Sequence, residues 1–233
     1  MKGRIQPGDI ISYSKMCEHE GYSMQRGMNY RVKGGPTVVL MSTRKGAPYS
    51  DIELEDGQII YEGHDVTKKE NPIPKSVDQP EHTNKGTLTQ NGKFFTAAMS
   101  YKSGKQKPEL IKVYEKIKTG IWAYNGVFEL IDAWIEKSGK RKVFKFKLKI
   151  TDKSIDEKVN KKIPDLIHNR IIPSDIKIAV WKRDGGKCVQ CGSTDNLHFD
   201  HVLPYSKGGT SLKVENIQLL CARHNLMKSA KIQ

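Results

Sequence analysis

"HFDHVLPYSKGGTSLKVENIQLLCARHN", residues 198–225, ends an apolar run on an Asp-His pair, turns at Gly208-Gly209, and closes with a Cys, a His and an Asn inside five positions. Upstream stand Cys188 and Cys191. The chain therefore reads Cys-x2-Cys, then 29 residues, then Cys221-x2-His224. Two pairs of soft donors at that spacing are the pattern of a structural zinc site, each pair clamping the ion from one turn. From Ser174 to Gln233 the segment has few large apolar side chains. A zinc knot, binding with roughly 10–16 kcal/mol in peptides, can supply much of its folding energy. The alternative is a set of unrelated buried thiols.

Zinc leaves Asp200, His201, Asn216 and Asn225 unexplained. "LHFDHVLP" predicts a strand ending in a turn, "ENIQLLC" its return strand, and "ARHNLMKSA" a short helix. A hairpin followed by a helix puts Asp200 beside Asn225, two oxygen donors suited to a hard cation such as Mg²⁺. His201 stands next to that cation without binding it, where a neutral imidazole can take a proton from water near pH 7.

Working outward, 233 residues are enough for two modest domains. Lys and Arg number 40 against 26 acids, a net charge of +14 that favours a polyanionic partner, nucleic acid first. No apolar run of about 18 residues suggests a membrane span, and "MKGRIQPGDI" lacks the apolar core of a signal peptide. The expectation is a soluble, cytoplasmic protein without a membrane partner. A lone Cys17 and a Cys-x2-Cys fit metal binding or redox chemistry better than a disulfide framework; Cys17 is taken as an ordinary thiol.

Residues 1–150 read as short β-rich runs: "TVVLM" (37–41), "GQIIYEG" (57–63), "IKVYEK" (111–116) and "KVFKFKLKI" (142–150). The last sets apolar residues between lysines, as a half-buried strand does. Residues 71–93, rich in Pro, Asn, Gly and Lys, read as a long surface loop. Residues 151–173 are charged and taken as a linker. In "PSDIKIAVWKRDGGKC", Ser174 is the expected N-cap of a helix that Gly185-Gly186 stops. Both parts are basic: nine Lys/Arg against five Asp/Glu from Ser174 onward leave 31 against 21 before it. Tyr49 and Tyr61 flank an acidic hairpin, and residue pattern alone makes them aromatics of a core.

Two family resemblances sharpen this reading. Over Ile172 to Lys228, "VWKRDGGKCVQCG", "FDHVLPYSKGGT", "ENIQLLC" and "HNLMKS" follow the order of the HNH, or ββα-metal, nucleases. That resemblance implies Asp200 as the metal-binding acid, His201 as general base, Asn216 as the residue holding the base's loop, and Asn225 as the last ligand of a catalytic Mg²⁺ or Mn²⁺. Many relatives carry a second Cys-x2-Cys where this chain has Cys221-x2-His224. His224 is therefore assigned to zinc and Asn225 to the catalytic metal, the exchange of the two being the alternative. Lys228 is expected as a phosphate contact, or else a solvated lysine, and His198 as structural.

The second resemblance covers Ile5 to Ile150. "YRVKGGPTVVLMS", "PYSD", "DGQIIYEGHD", "DQPEHTNKGTLTQNG" and "GIWAYNGVFELIDAWIE" are similar to the SET- and RING-associated (SRA) domain. It implies a reader that flips a modified cytosine from duplex DNA, with Tyr49 and Tyr61 sandwiching the base and Asp51 reading its edge. Asp51 sits one position nearer Tyr49 than in eukaryotic relatives, which leaves Glu53 as a substitute. The expected architecture is α+β: an SRA-like (PUA-like) β-barrel over 1–150, a linker over 151–173, and a zinc-stabilised ββα-metal HNH domain over 174–233. The expected activity is a modification-dependent DNA endonuclease for 5-methylcytosine or 5-hydroxymethylcytosine, acting singly or as a homodimer. The rivals are a non-catalytic binder of modified DNA and an HNH nuclease indifferent to modification.

Overall fold

The computed structural model describes residues 5–24, 26–54, 56–153, 171–204 and 207–228; most of the expected linker, residues 154–170, lies outside them. The β-rich part is one eight-stranded sheet. Its path runs β2 (Met28–Asn29), β3 (Thr37–Met41), β6 (Glu109–Lys118), β7 (Ile121–Ser138), β8 (Arg141–Thr151), β5 (Ile59–Glu62) and β4 (Ile52–Glu53). β1 (Ile10–Ser12) pairs with β7 off that path. Among the described residues only β3 and β6 run parallel; the other ladders of the sheet are antiparallel.

The sheet buries its apolar side chains in two layers. On one side Val39, Ile111, Phe128, Phe146 and Leu148 pack with Phe94, Ala97 and Ala98 of helix α2 (Gln90–Lys102). On another, Met16 of α1 (Tyr13–Glu20) packs with Val38, Tyr114 and Tyr124. The expected loop over 71–93 is therefore too long. It ends at Thr89, whose hydroxyl accepts the Gly92 N–H (3.2 Å) and starts α2. Lys145 also departs from the outward pattern expected of β8. It is buried because its ammonium meets the buried Glu62 carboxylate at 2.9 Å.

The C-terminal module contains α3 (Ser174–Arg183), the antiparallel pair β9 (Leu197–His201) and β10 (Ile217–Cys221), and α4 (Ala222–Lys228). Ser174 is not the N-cap of α3. It is the first helical residue, and both its N–H (2.8 Å) and its hydroxyl (2.9 Å) donate to Glu53 Oε2 of the sheet. A carboxylate from the other half of the chain thus satisfies the helix's free N-terminal N–H and complements its dipole. The helix stops before Gly185 and Gly186, both at positive φ (63° and 66°). A Cβ at Gly186 would come within 2.6 Å of the Trp181 ring.

The two halves share a core. Ile176, Val180, Leu197, Phe199, Ile217 and Leu219 pack with Ile117 and Ala123 of the sheet.

Candidate functional site

The four soft donors converge. Cys188 and Cys191 sit on the turn after α3, where the Gly192 N–H donates to Cys188 O (2.8 Å) and the Cys188 N–H to Ser193 O (2.8 Å). Cys221 ends β10, and His224 lies in the first turn of α4. Their ligand atoms all lie within 4.8 Å of one another. His224 Nδ1 is 3.4 Å from the sulfurs of both Cys188 and Cys221, and Cys191 and Cys221 Sγ are 3.9 Å apart. A tetrahedron with Zn–S bonds of about 2.3 Å has edges of about 3.8 Å, so the cluster could hold zinc with little movement. Burial pushes the Cys188 thiol up, but backbone N–H groups of Cys221, Gln190 and Cys191 together with His224 outweigh it and bring it down to about 6. That is the direction a metal thiolate needs.

β9 then delivers the Asp-His pair. Leu197 and Phe199 face the core, while His198 and Asp200 alternate to the other face. His198 Nδ1 lies 2.5 Å from Asp9 Oδ1, which ties the strand to the sheet-bearing half. His201 Nε2 is 2.8 Å from Ser211 Oγ. The loop after His201 is held by Asn216: its Oδ1 accepts from Leu203 N–H (2.8 Å), and its Nδ2 donates to Leu203 O (3.2 Å) and Thr210 O (2.8 Å). This turn explains the Gly-Gly of the opening stretch. Gly208 sits at φ +86°, and a Cβ on Gly209 would fall 1.8 Å from Leu203 O.

Asp200 is approached by a cation of the chain itself. Lys228 Nζ pairs with Asp200 Oδ2 and also donates to His201 O, and Gln218 Nε2 reaches the same carboxylate at 3.5 Å. Lys228 is only 3% exposed. It is not a solvated lysine, because its ammonium lies between Asp200 and His201 O on the face of α4 turned to β9. Asn225, three residues earlier, shares that face and is half-buried.

On the β-rich half a cavity of about 690 Å³ opens, lined among others by Arg26, Arg44, Tyr49, Asp51, His64 and Trp122. Tyr49 stacks on His64, with ring centroids 4.7 Å apart and planes 8° from parallel. Asp51 accepts backbone N–H groups on both oxygens, from Ser42 (2.9 Å) and Glu62 (3.1 Å). Burial nevertheless raises its carboxyl to about 6 against those bonds. Tyr61 does not face the cavity. It is 1% exposed, and its hydroxyl meets His64 Nε2 at 2.9 Å behind the wall. On β5 its side chain points into the core beside Phe144 and Phe146, so the expected pair of facing tyrosines is not formed. Glu53, the alternative edge reader, is spent on capping α3.

His64 is the wall residue that sequence reading passes over, although it stands within the quoted "YEGHD". The buried Asn91 amide clamps its backbone, accepting His64 N–H and donating to His64 O (both 2.8 Å). Burial, then Arg26, lowers its imidazole to about 4 and keeps it neutral.

No curated protein matches the chain. Among solved structures it is similar to the SUVH5 SRA domain in complex with hemi-methylated CG DNA, at 22% identity and a TM-score of 0.45, covering 70% of this chain and 95% of that one. The SUVH5 SRA domain bound to fully hydroxymethylated CG DNA matches at 20% and 0.46, over 66% of this chain and 93% of that one. KRYPTONITE in complex with mCHH DNA, an H3(1–15) peptide and SAH matches at 15% and 0.40, over 64% and 32%. Residues 188–231 match the family model of the HNH endonuclease, a span that takes in the Cys3His cluster, the Asp200-His201 pair, Asn216 and Asn225.

Proposed function

We propose that the protein is a modification-dependent DNA endonuclease of the cytoplasm, reading 5-methylcytosine or 5-hydroxymethylcytosine in its β-rich half and hydrolysing a phosphodiester in its HNH module. The observation that carries the reading is the HNH match at 188–231 around an Asp-His pair whose following loop is fastened by Asn216. No helix among the described residues is long and apolar enough to cross a membrane, and the +14 charge suits DNA.

In this reading zinc occupies the Cys3His cluster and pins β10 to α4. Asp200 and Asn225 would hold Mg²⁺ or Mn²⁺, which would stabilise charge on the scissile phosphate and the departing oxygen. Lys228, paired with Asp200 Oδ2, would have to yield that oxygen to the ion. The His201 imidazole, oriented by the contact of its Nε2 with Ser211 Oγ, takes a proton from a water whose oxygen attacks phosphorus. The bond from phosphorus to the 3′ oxygen breaks and that oxygen takes a proton from solvent, leaving 5′-phosphate and 3′-hydroxyl ends. One such centre cuts one strand, so a double-strand break needs two copies or two visits.

For the reader, unstacking a base costs a few kcal/mol, and stacking on Tyr49 returns roughly 1–3 kcal/mol. Asp51 takes the hydrogen-bonding edge. A methyl group adds about 0.8 kcal/mol, and discrimination of that kind seldom exceeds roughly 10–200-fold. Preference, with residual cutting of plain DNA at high enzyme, is the expected behaviour.

The test is one plasmid in unmodified, 5-methylcytosine and 5-hydroxymethylcytosine forms, each with Mg²⁺, Mn²⁺ or EDTA. Metal-dependent cutting of a modified form supports the whole reading. Equal cutting of all three removes the reader, and binding without cutting leaves a non-catalytic DNA-binding protein.

A further inference from the structure

We infer that the contact between the two halves fixes the separation between the cavity and the Asp200-His201 centre, and that Asp9, Glu115 and Lys177 are its positioning residues. The inference rests on the functional reading above and adds to it where the cut falls.

Among the described residues three polar attachments join the halves, and each lies within four residues of the cavity wall. Asp9 bonds His198, two residues before Asp200, and Gly8 O accepts the Phe199 N–H at 3.1 Å. Four residues after Asp9, Tyr13 lines the cavity. The stretch between them is no tether, since it is β1, laddered to β7 through Ile10–Ala123, Ile11–Trp122 and Ser12–Ile121. The second attachment is Lys177 of α3, whose ammonium meets Glu115 Oε2 (2.8 Å) and Asn125 Oδ1 (2.9 Å). The pair's side chains are 4% and 0% exposed, and the residue after Glu115, Lys116, is on the cavity wall. The third is Glu53 on Ser174, two residues from Asp51.

A buried ion pair is a poor source of net stability but a strict one of register. Sliding either half would strand a charge away from water. With the apolar seal around it, this contact has one favourable docking.

Geometry then bounds the reach. The four-residue step from Tyr13, at one edge of the cavity, to Asp9, the bridge to His198 and two residues to Asp200 sum to at most about 27 Å. That is roughly eight base-pair steps of B-DNA, so with the breadth of the cavity and side-chain reach added the cut falls within about a dozen base pairs of the modified base.

The experiment maps cuts by the full-length chain with Mg²⁺ on an end-labelled duplex carrying a single 5-methylcytosine, beside its unmethylated twin. Wild type is expected to cut at a narrow set of adjacent phosphates within that distance. The paired exchange Glu115→Gln with Lys177→Met removes both charges together, and Asp9→Ala removes the strand link. Both are expected to spread the cuts several-fold in position while zinc content and binding of the methylated duplex hold. Unchanged cut positions in variants that pass those two checks overturn the inference. Wild-type cuts scattered over tens of base pairs overturn it without any variant, provided cutting still depends on methylation. Equal cutting of the two duplexes overturns the functional reading and this inference with it.

Discussion

Tyr49 and Tyr61 stand twelve positions apart in the chain, yet one is half-buried at a cavity and the other is sealed inside the sheet. Their substitutions should separate accordingly. Tyr61→Ala empties a filled core site and is expected to cost about 3–5 kcal/mol of stability in denaturant titrations. Tyr49→Ala should leave the unfolding midpoint nearly in place and weaken binding of modified DNA by the stacking energy, roughly 1–3 kcal/mol or some 5–150-fold. A Tyr49→Ala protein that binds like wild type would remove Tyr49 from the pocket. Spacing locates the right hairpin because spacing sets position along a strand; it does not report which face a neighbouring layer covers. His64 offers a pH test. Its imidazole is lowered from 6.5 to about 4, so between those values the unfolded chain binds the proton and the folded one does not. Stability is then fully present above about 6.5 and is lost as pH falls toward 4, by roughly 3 kcal/mol at the limit. Comparing wild type with His64→Phe in denaturant at pH 7 and pH 4 measures it. An equal loss in both proteins would show that other groups carry the pH dependence.

Among the elements, the Cys3His cluster is legible in the residue spacing alone, because thiolate and imidazole pairs separated by two residues have few other uses at that spacing. The Asp-His pair and the Gly-Gly turn are legible for the same reason: each is demanded by local chemistry. The place of Lys228 is not, since nothing in "HNLMKS" says which side of α4 meets β9. Helix α2 is hidden as well. Its third residue is Gly92, a poor helix former, there because a Cβ would come within 2.3 Å of Glu81 O. Two substitutions in α4 should part company. His224→Ala takes a ligand from the Cys3His cluster and is expected to lose both zinc and cleavage, as a chelator strong enough to strip the knot would. Asn225→Ala is expected to keep zinc, measured by metal analysis of the purified protein, and to lose cleavage. Zinc retained in His224→Ala, with cleavage alone lost, would exchange the two assignments.

At the scale of the molecule, the contact between the halves is illegible in the sequence, because its partners are separated by long stretches of chain: Lys177 and Glu115 by 62 residues, His198 and Asp9 by 189. No local rule pairs residues at such distances. The net charge, in contrast, is a property of the whole sequence, and it makes a prediction that the pocket does not. If Lys and Arg neutralise some six to ten phosphates, affinity for DNA should drop about 10³–10⁵-fold between 50 and 200 mM salt, whatever the base. Stacking on Tyr49 and burial of a methyl group release no counterions, so their contribution is nearly independent of salt. The ratio of affinities for modified and unmodified duplex should therefore stay constant while both fall together. Parallel lines in a plot of log affinity against log salt are the expected result, read from binding with no Mg²⁺ or Mn²⁺ added so that cleavage does not intervene. Lines that converge as salt rises would mean that modification is read through phosphate contacts along the duplex, with the cavity taking no part in the choice.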